Sequence, residues 1–167
     1  MNGSVRLIEA MLFAAAEPLP MTVLSAALDA DAGPVLNALR DRYAGGGIEL
    51  QQVAGGWQLR TAPDLAPALT RVVAAPRRLP RAAMEALAVI AYHQPTTRSE
   101  LEAVRGVSVA QSSMDLLLEL GLIATAGRRE SPGRPTLWVT TPAFLAQFGL
   151  QALRDLPPRS ELVLPGI

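Results

Sequence analysis

The strongest hydrophobic pattern of the chain lies in residues 79–95 and predicts a buried helix. Its apolar positions recur at helical spacing and cover a wide part of the circumference, which is typical of a helix inside a domain core. Pro80 fits the first helical turn, and Pro95 ends the helix because the residue before a proline avoids the α region. The apolar face of this central helix contains Ala83, Met84, Leu87, Ile90 and Ala91.

Two shorter helices are predicted to follow. Thr97 and Glu100 have the three-residue spacing of a capping box and predict a helix that ends at Val104. Ser108 is predicted to cap the next helix, and Gly121 to end it, because glycine readily adopts the left-handed conformation that follows a helix. That helix carries Met114, Leu117, Leu118 and Leu120.

The next segment predicts a β-hairpin. Residues 122–126 and 137–140 are predicted strands, and the loop between them, 127–135, is rich in glycine, proline and arginine. Three helices followed by a two-stranded hairpin predict a winged helix. Residues 141–149 predict a closing helix, with Thr141 as its cap.

The first part of the chain predicts three helices in the same order. Ser4 is predicted to cap a helix over 5–16, and Thr22 to cap a short second helix. Asp31 is predicted to cap a third helix that ends at Tyr43.

A second hairpin follows these helices. Residues 48–53 and 57–60 alternate between apolar and polar side chains, as half-buried strands do. Gly55-Gly56 is the predicted turn between them. Residues 61–73 predict a closing helix.

The two halves therefore have the same order of elements. Leu24 and Leu101 are 77 residues apart, and Leu39 and Leu116 are separated by the same offset. A repeated order at a constant offset predicts an internal duplication. The expected fold class is mainly α with small β-hairpin wings (α+β), arranged as two tandem winged-helix domains.

We expect an N-terminal domain over 1–74, a linker over 75–79 and a C-terminal domain over 80–155. The proline-rich residues 156–167 predict a flexible tail. Each domain is close to the size at which a single core is only just sufficient, so packing against a second copy would stabilise it.

Composition excludes several classes of site. All 15 basic residues are arginine, the formal net charge is +0, there is no cysteine, and His93 is the only histidine. We therefore expect no catalytic residue, no metal site and no cofactor. No apolar run approaches the roughly 20 residues that span a bilayer, so we expect no membrane contact and a cytoplasmic protein.

Winged helices often bind DNA, so a DNA-binding transcriptional regulator is the alternative. Base readout in the major groove needs basic or amide side chains on the third helix. That helix offers Gln111 in the second domain and Asn37 in the first, near the carboxylates of Asp115 and Asp31, which repel phosphates. We expect DNA contact to be weak or indirect.

Two surfaces are candidates for binding a partner protein. Arg128, Arg129 and Arg134 lie in the second wing; three phosphate contacts would give a salt slope of only about −3, so acidic groups of a protein partner are the preferred ligands over DNA. Phe148 and Leu150 follow the closing helix, where they belong either to the core or to a groove for an amphipathic segment.

A third surface predicts self-association. Leu7, Met11 and Ala14 form a second apolar stripe on the first helix, beside the stripe that serves the core. A second stripe on a small domain predicts another buried contact. We expect these three residues at a dimer interface.

A set of motifs runs almost continuously through the second domain. Ala88–Pro95, Arg105–Val107, Leu117–Ile123, Gly127–Arg129, Pro132–Pro135, Thr140–Pro142, Phe144–Leu145 and Phe148–Leu150 belong to it. With Ile8–Phe13 and Glu17–Leu19 in the first domain, these motifs resemble the segregation and condensation protein B (ScpB) family, the accessory subunit of the bacterial SMC condensin complex.

The resemblance implies a non-enzymatic homodimer, joined mainly through the first winged helix. It also implies a protein that binds the kleisin ScpA, and through it the SMC ATPase, in chromosome condensation and partition, and is therefore nucleoid-associated. Two features depart from the family. Residues 110–115 lack the arginine that the third helix usually carries, and the tail is short; either departure would weaken a partner contact.

Overall fold

The computed structural model describes residues 2–72 and 79–158. The described residues form two compact units, one of 2–72 with 148–158 and one of 79–147. The units are called the first and the second unit below.

The expected domain bounds differ from these units mainly after residue 147. Residues 148–155, expected in the second domain, belong to the first unit, where the Ala54 N–H donates a 2.8 Å hydrogen bond to the Leu150 carbonyl. Residues 75–78 of the predicted linker and 159–167 of the predicted tail lie outside the described residues. So does the predicted end of the first closing helix, at Val73.

The first unit is a winged helix with a three-stranded antiparallel sheet in the order β1-β3-β2. Its core contains Ile8, Leu12, Leu24, Leu36 and Leu39 with Trp57 at the edge. Its elements are α1 (Asn2–Ala14), β1 (Leu19–Pro20), α2 (Met21–Leu28), α3 (Gly33–Tyr43), β2 (Ile48–Val53), β3 (Gly56–Thr61), a 3-10 turn (Pro63–Leu65) and α4 (Ala66–Val72).

The turn of the first wing lies one residue earlier than predicted. Ala54 and Gly55 both have positive φ (49° and 75°) and form the two-residue turn, as hairpins prefer. Gly56 instead begins β3, where a Cβ would lie 2.9 Å from the carbonyl carbon of Pro18. The close approach of β1, which pairs Pro20 with Gly56, therefore requires a glycine here.

The second unit is a winged helix built around α5. Ala83, Ala86, Leu87, Ile90 and Ala91 of α5 are buried, which confirms the predicted central helix. Its elements are α5 (Arg81–His93), α6 (Arg98–Arg105), α7 (Gln111–Glu119), β4 (Ile123–Arg128), β5 (Thr136–Thr140) and α8 (Pro142–Phe148).

β5 pairs with β4 on one side and with a single residue, Thr96, on the other. Thr96 and Trp138 exchange two backbone hydrogen bonds of 2.8 and 3.1 Å. The pair corresponds to Leu19 and Trp57 in the first unit, which lie opposite each other in β1 and β3. The tandem winged-helix α+β fold is thus confirmed. In each unit, a segment that precedes the hairpin also pairs with the second strand of the hairpin, which the sequence analysis did not predict.

Three of the predicted caps are confirmed. Thr97 and Glu100 form the complete capping box of α6. Gly121 has φ +65° and follows α7, and the Leu122 N–H donates to the Leu117 carbonyl, as in a Schellman motif. The Thr141 hydroxyl accepts from the Phe144 N–H at 3.3 Å at the start of α8.

Four other predicted caps are wrong. The residue at the N-cap of α3 is Ala32 rather than Asp31, whose carboxylate accepts a 3.0 Å hydrogen bond from the Gly33 N–H. Ser4 lies inside α1. Thr22 lies inside α2, because that helix begins directly after Pro20, which has an extended conformation. Ser108 precedes α7 by three residues, and no side chain caps that helix. The intervening turn is held instead by Glu102, which accepts a 3.0 Å hydrogen bond from the Val109 N–H.

The repeat offset also changes along the chain. Leu24 and Leu101 are both fully buried, as the offset of 77 predicts. Leu39, however, corresponds to the buried Leu117 rather than to the half-buried Leu116. The turn before the third helix is one residue longer in the second unit, which shifts the register.

Candidate functional site

The outward face of α1 exposes apolar side chains to solvent. Phe13 is 83% exposed and Leu7 44% exposed, and Ala10 and Ala14 are also exposed. Met11 is half-buried and packs against the core of its own unit. Of the three predicted interface residues, Leu7 and Ala14 therefore face solvent, whereas Met11 is largely used within the unit.

Phe13 is the residue of this face that the sequence analysis missed. It lies three residues after Ala10, so helical spacing places it beside Ala10, about 60° around the helix, on the same exposed face of α1. A surface helix of a globular protein normally carries polar side chains opposite its core stripe. The sequence contained one signal for this exposure: Phe13 lies outside the helical stripe that contains the buried Ile8 and Leu12.

A polar cluster fixes the orientation of α1 on α3. Arg42 contacts both carboxylate oxygens of Glu9 at 3.0 and 3.1 Å, and the Tyr43 hydroxyl donates to Glu9 at 2.6 Å. The hydrogen bond from Tyr43, supported by Arg42, lowers the pKa of Glu9. The same hydrogen bond raises the pKa of Tyr43. These contacts hold α1 with its opposite face towards solvent.

The arginines of the second wing have different environments. Arg128 and Arg134 are exposed, and Arg134 has a positive φ of 40° in the loop. The Arg129 guanidinium pairs with Glu100 of α6. The Thr97 backbone N–H, followed by Arg129, lowers the pKa of Glu100. Arg128 and Arg134 are therefore better placed for a partner than Arg129.

The amides predicted to be weak base readers are engaged within their units. The Gln111 carbonyl oxygen accepts a 2.7 Å hydrogen bond from Arg98, and its amide nitrogen donates to Asp115 at 2.8 Å. Arg98 also contacts Glu102 at 3.2 Å. This network connects α6 to the start of α7, the helix that would enter a major groove.

In the first unit, polar side chains of the third helix also make contacts within the unit. Asn37 accepts a 3.4 Å hydrogen bond from Arg40. The Arg40 guanidinium lies 5.2 Å from the ring centroid of Trp57, a cation–π contact. The third helix of each unit therefore directs its amide towards its own neighbours.

A groove lies between α6 and β5 in the second unit. Its volume is about 410 Å³, and Arg98, Ser99, Glu102, Pro135, Thr136 and Trp138 line it. The lining combines an apolar floor with an ion pair at the rim. It lies next to the wing that carries Arg128 and Arg134.

The apolar side chains predicted near the second closing helix differ in their exposure to solvent. Phe144 is buried, whereas Phe148 is 41% exposed and Leu150 is half-buried. Phe144 is thus a core residue of the second unit. Phe148 and Leu150 belong to the first unit and retain accessible apolar surface.

Within residues 2–72 and 79–158, no group of three or more potential ligands could hold a metal ion. In the same ranges, no helix has both the length and the apolar character needed to cross a membrane.

Comparison with known proteins identifies the family. The model of the segregation and condensation complex subunit ScpB matches residues 6–159. The chain belongs to the ScpB family. It is 44% identical to segregation and condensation protein B of Desulforamulus reducens, over 95% of this chain and 91% of that protein.

Two solved structures of the family also match. ScpB from Mycobacterium tuberculosis is 35% identical, with 89% of this chain and 96% of that chain covered, and the TM-score is 0.41. A dimer of the ScpB N-terminal domain complexed with a ScpA peptide is 28% identical, with 43% of this chain and 96% of that chain covered, and the TM-score is 0.40.

Proposed function

We propose that this ScpB-family chain is a non-enzymatic interaction subunit of an SMC condensin-type complex, in which it binds the kleisin ScpA as a homodimer and supports chromosome condensation and segregation. The observation that carries the proposal is the family match over residues 6–159. Through ScpA the chain would contact the SMC ATPase at the nucleoid, in the cytoplasm.

The mechanism is burial of complementary surface, without a cofactor or bond chemistry. Each winged helix has its own core, so apolar groups that remain exposed are available to partners. The first unit contributes Leu7, Phe13 and Ala14 to the dimer. Arg128 and Arg134, with Phe148 and Leu150, are the proposed kleisin contacts, and Arg129 supports the wing through Glu100.

Light scattering after size-exclusion chromatography tests the proposal. The purified chain should have the mass of a dimer and should form a larger complex with a ScpA fragment at micromolar concentration. The variant Arg128→Glu with Arg134→Glu should weaken that complex at unchanged dimer mass. Ser112→Glu, an exposed position of α7 in the same unit, adds acidic charge outside the wing and should leave binding intact.

A wild-type chain that ignored ScpA at these concentrations would overturn the proposed function. Equal weakening by the wing variant and by Ser112→Glu would overturn only the assignment of Arg128 and Arg134.

A winged-helix transcriptional regulator is less well supported, because part of the positive charge of the described residues is already paired with carboxylates of the chain. Among the described residues, five arginines form ion pairs with glutamates, and one stacks on a tryptophan: Arg42, Arg81, Arg98, Arg105, Arg129 and Arg40. Few phosphate contacts remain, so counterion release would contribute little affinity. Tight, sequence-dependent duplex binding at physiological salt would favour the regulator instead.

A further inference from the structure

The outward face of α1 has an ordered arrangement of side chains. Ile8 and Leu12 are buried, and Ala10 lies diametrically opposite them, at the centre of the exposed face. With 100° between successive residues, Arg6 and Phe13 lie on one side of Ala10 along the helix, and Leu7 and Ala14 lie on the other side.

Arg6 is the only charged side chain on this face, and its position distinguishes two ways of pairing α1 with a second copy. In a parallel pair, equal residues meet, so Arg6 would lie against Arg6 of the other copy and the two charges would repel. In an antiparallel pair about Ala10, Arg6 meets Phe13 of the other copy, and Leu7 meets Ala14.

We propose that α1 packs antiparallel against α1 of a second copy, with the twofold axis at Ala10 and with Arg6 of each copy over Phe13 of the other. This arrangement rests on the homodimer proposed above and specifies its central contact. A guanidinium over an aromatic face is attractive, and the small Ala10 lets the two helices approach closely at the axis. The exposed Phe13 becomes buried in the same contact.

Cysteine cross-linking tests the geometry directly, because the natural chain contains no cysteine. Ala10→Cys should form a disulfide-linked dimer under mild oxidation, since facing residues on the axis lie within the roughly 7 Å between Cα atoms that a disulfide allows. Ala14→Cys is the matched control on the same face. Its two copies would lie about 12 Å apart along the axis, which is beyond that limit.

A mixed sample of Leu7→Cys and Ala14→Cys gives a second test, because the antiparallel pair places these positions opposite each other. We expect heterodimers linked between the two variants and little linkage within either variant alone. A parallel pair would instead link each of the Ala10, Ala14 and Leu7 variants to itself, which would overturn the proposal.

Two further variants test the contact through the dimer dissociation constant, without a covalent cross-link. Phe13→Ala should raise the dimer dissociation constant at least about a hundredfold, because two aromatic side chains lose their burial. Arg6→Ala should raise it about fivefold to thirtyfold, because the dimer loses two symmetric cation–π contacts. In a parallel pair, Arg6→Ala would remove repulsion and lower the constant, so the sign of this change is decisive.

The outcomes separate this inference from the proposed function. A dimeric mass with ScpA binding but no Ala10→Cys cross-link would reject the α1 arrangement and leave the function standing. A monomeric chain that still bound ScpA would reject the homodimer together with this arrangement. A chain that cross-linked at Ala10 and ignored ScpA would support the arrangement and reject the function.

Discussion

The two winged helices of this chain have the same element order and are stabilised in different ways. In the first unit, β1 adds a third strand to the sheet through two paired positions, and a glycine permits its close approach. In the second unit, a single residue pair replaces that strand, and side chains provide further links. Among the described residues, the second unit has four ion pairs, whereas the first has Arg42–Glu9 and the local pair Arg154–Asp155.

The polar links of the second unit join α5 to α6 and to the β4–β5 hairpin. Arg105, whose side chain is almost buried, pairs with Glu85 of α5 at 2.8 Å. The side-chain Oε1 of Gln94 accepts hydrogen bonds from the Thr140 backbone N–H and hydroxyl at 2.6 and 3.0 Å. The comparison teaches that a duplicated fold can retain its core while each copy has its own contacts. The first unit exposes an apolar helix face, and the second pairs several arginines with glutamates while Arg128 and Arg134 remain exposed.

Replacement of the equivalent core leucines should have the largest effect on the stability of each unit. Leu24→Ala and Leu101→Ala each remove a fully buried side chain and should lower the free energy of unfolding by about 2–5 kcal/mol. Trp57 and Trp138 report on one unit each. Urea unfolding of Trp57→Phe and Trp138→Phe backgrounds, followed by tryptophan fluorescence, separates the two transitions.

We expect Leu24→Ala to move the transition reported by Trp57, and Leu101→Ala to move that reported by Trp138. The exposed Leu118→Ala is the control and should change stability by less than about 0.5 kcal/mol. Equal shifts of both reporters by each core variant would show that the units unfold together, and the comparison of two independent cores would fail.

The close approach of β1 in the first unit should be the next most sensitive feature. Gly56→Ala places a Cβ 2.9 Å from the backbone of Pro18, and relief of that overlap should cost about 1–3 kcal/mol. Gly47→Ala is the control, because its Cβ would make an ordinary 3.5 Å contact with Leu65. Thermal unfolding of both variants measures the difference; a fully stable Gly56→Ala would contradict the assigned approach.

The capping box of the second unit predicts a smaller effect. Thr97→Ala removes the side chain that accepts from the Glu100 N–H and should lower the free energy of unfolding by about 1 kcal/mol. Thr22→Ala in the first unit is the matched control, because Thr22 lies inside α2 and caps nothing there. Denaturant titration should find the control within about 0.5 kcal/mol of wild type; equal losses would restore Thr22 as a cap.

Acidification should have the smallest effect, and it should fall more heavily on the second unit. The pKa is lowered for Glu9 in the first unit and for Glu85, Glu100 and Glu102 in the second. Each folded carboxyl releases its proton more readily than the unfolded one. Its contribution is therefore complete above the ordinary glutamate pKa of about 4.3 and is lost as pH falls through the lowered folded value.

The measurement is urea unfolding between pH 7 and pH 3 with the single-tryptophan backgrounds. We expect little change above pH 5 and a larger loss for the unit that contains Trp138. The interpretation would be wrong if stability rose on acidification, or if the Trp57 transition moved further than the Trp138 transition.

The sequence by itself determined the features that depend on neighbouring residues. Helical periodicity identified the buried face of α5, three-residue spacing identified the Thr97 and Glu100 box, and Gly121 marked the end of α7. These signals are readable because their hydrogen bonds close within a few residues of the chain. The repeated element order gave the tandem winged-helix fold for the same reason.

Only the tertiary structure decided which distant groups meet. Arg129 meets Glu100 across 29 residues, Gln94 meets Thr140 across 46, and Leu150 is placed beside Ala54. The start of α7 was misjudged because Glu102, rather than Ser108, holds the preceding turn. Short-range spacing contains no information about such partners, since their proximity arises from packing of whole elements, and the exposure of Phe13 follows from that packing too.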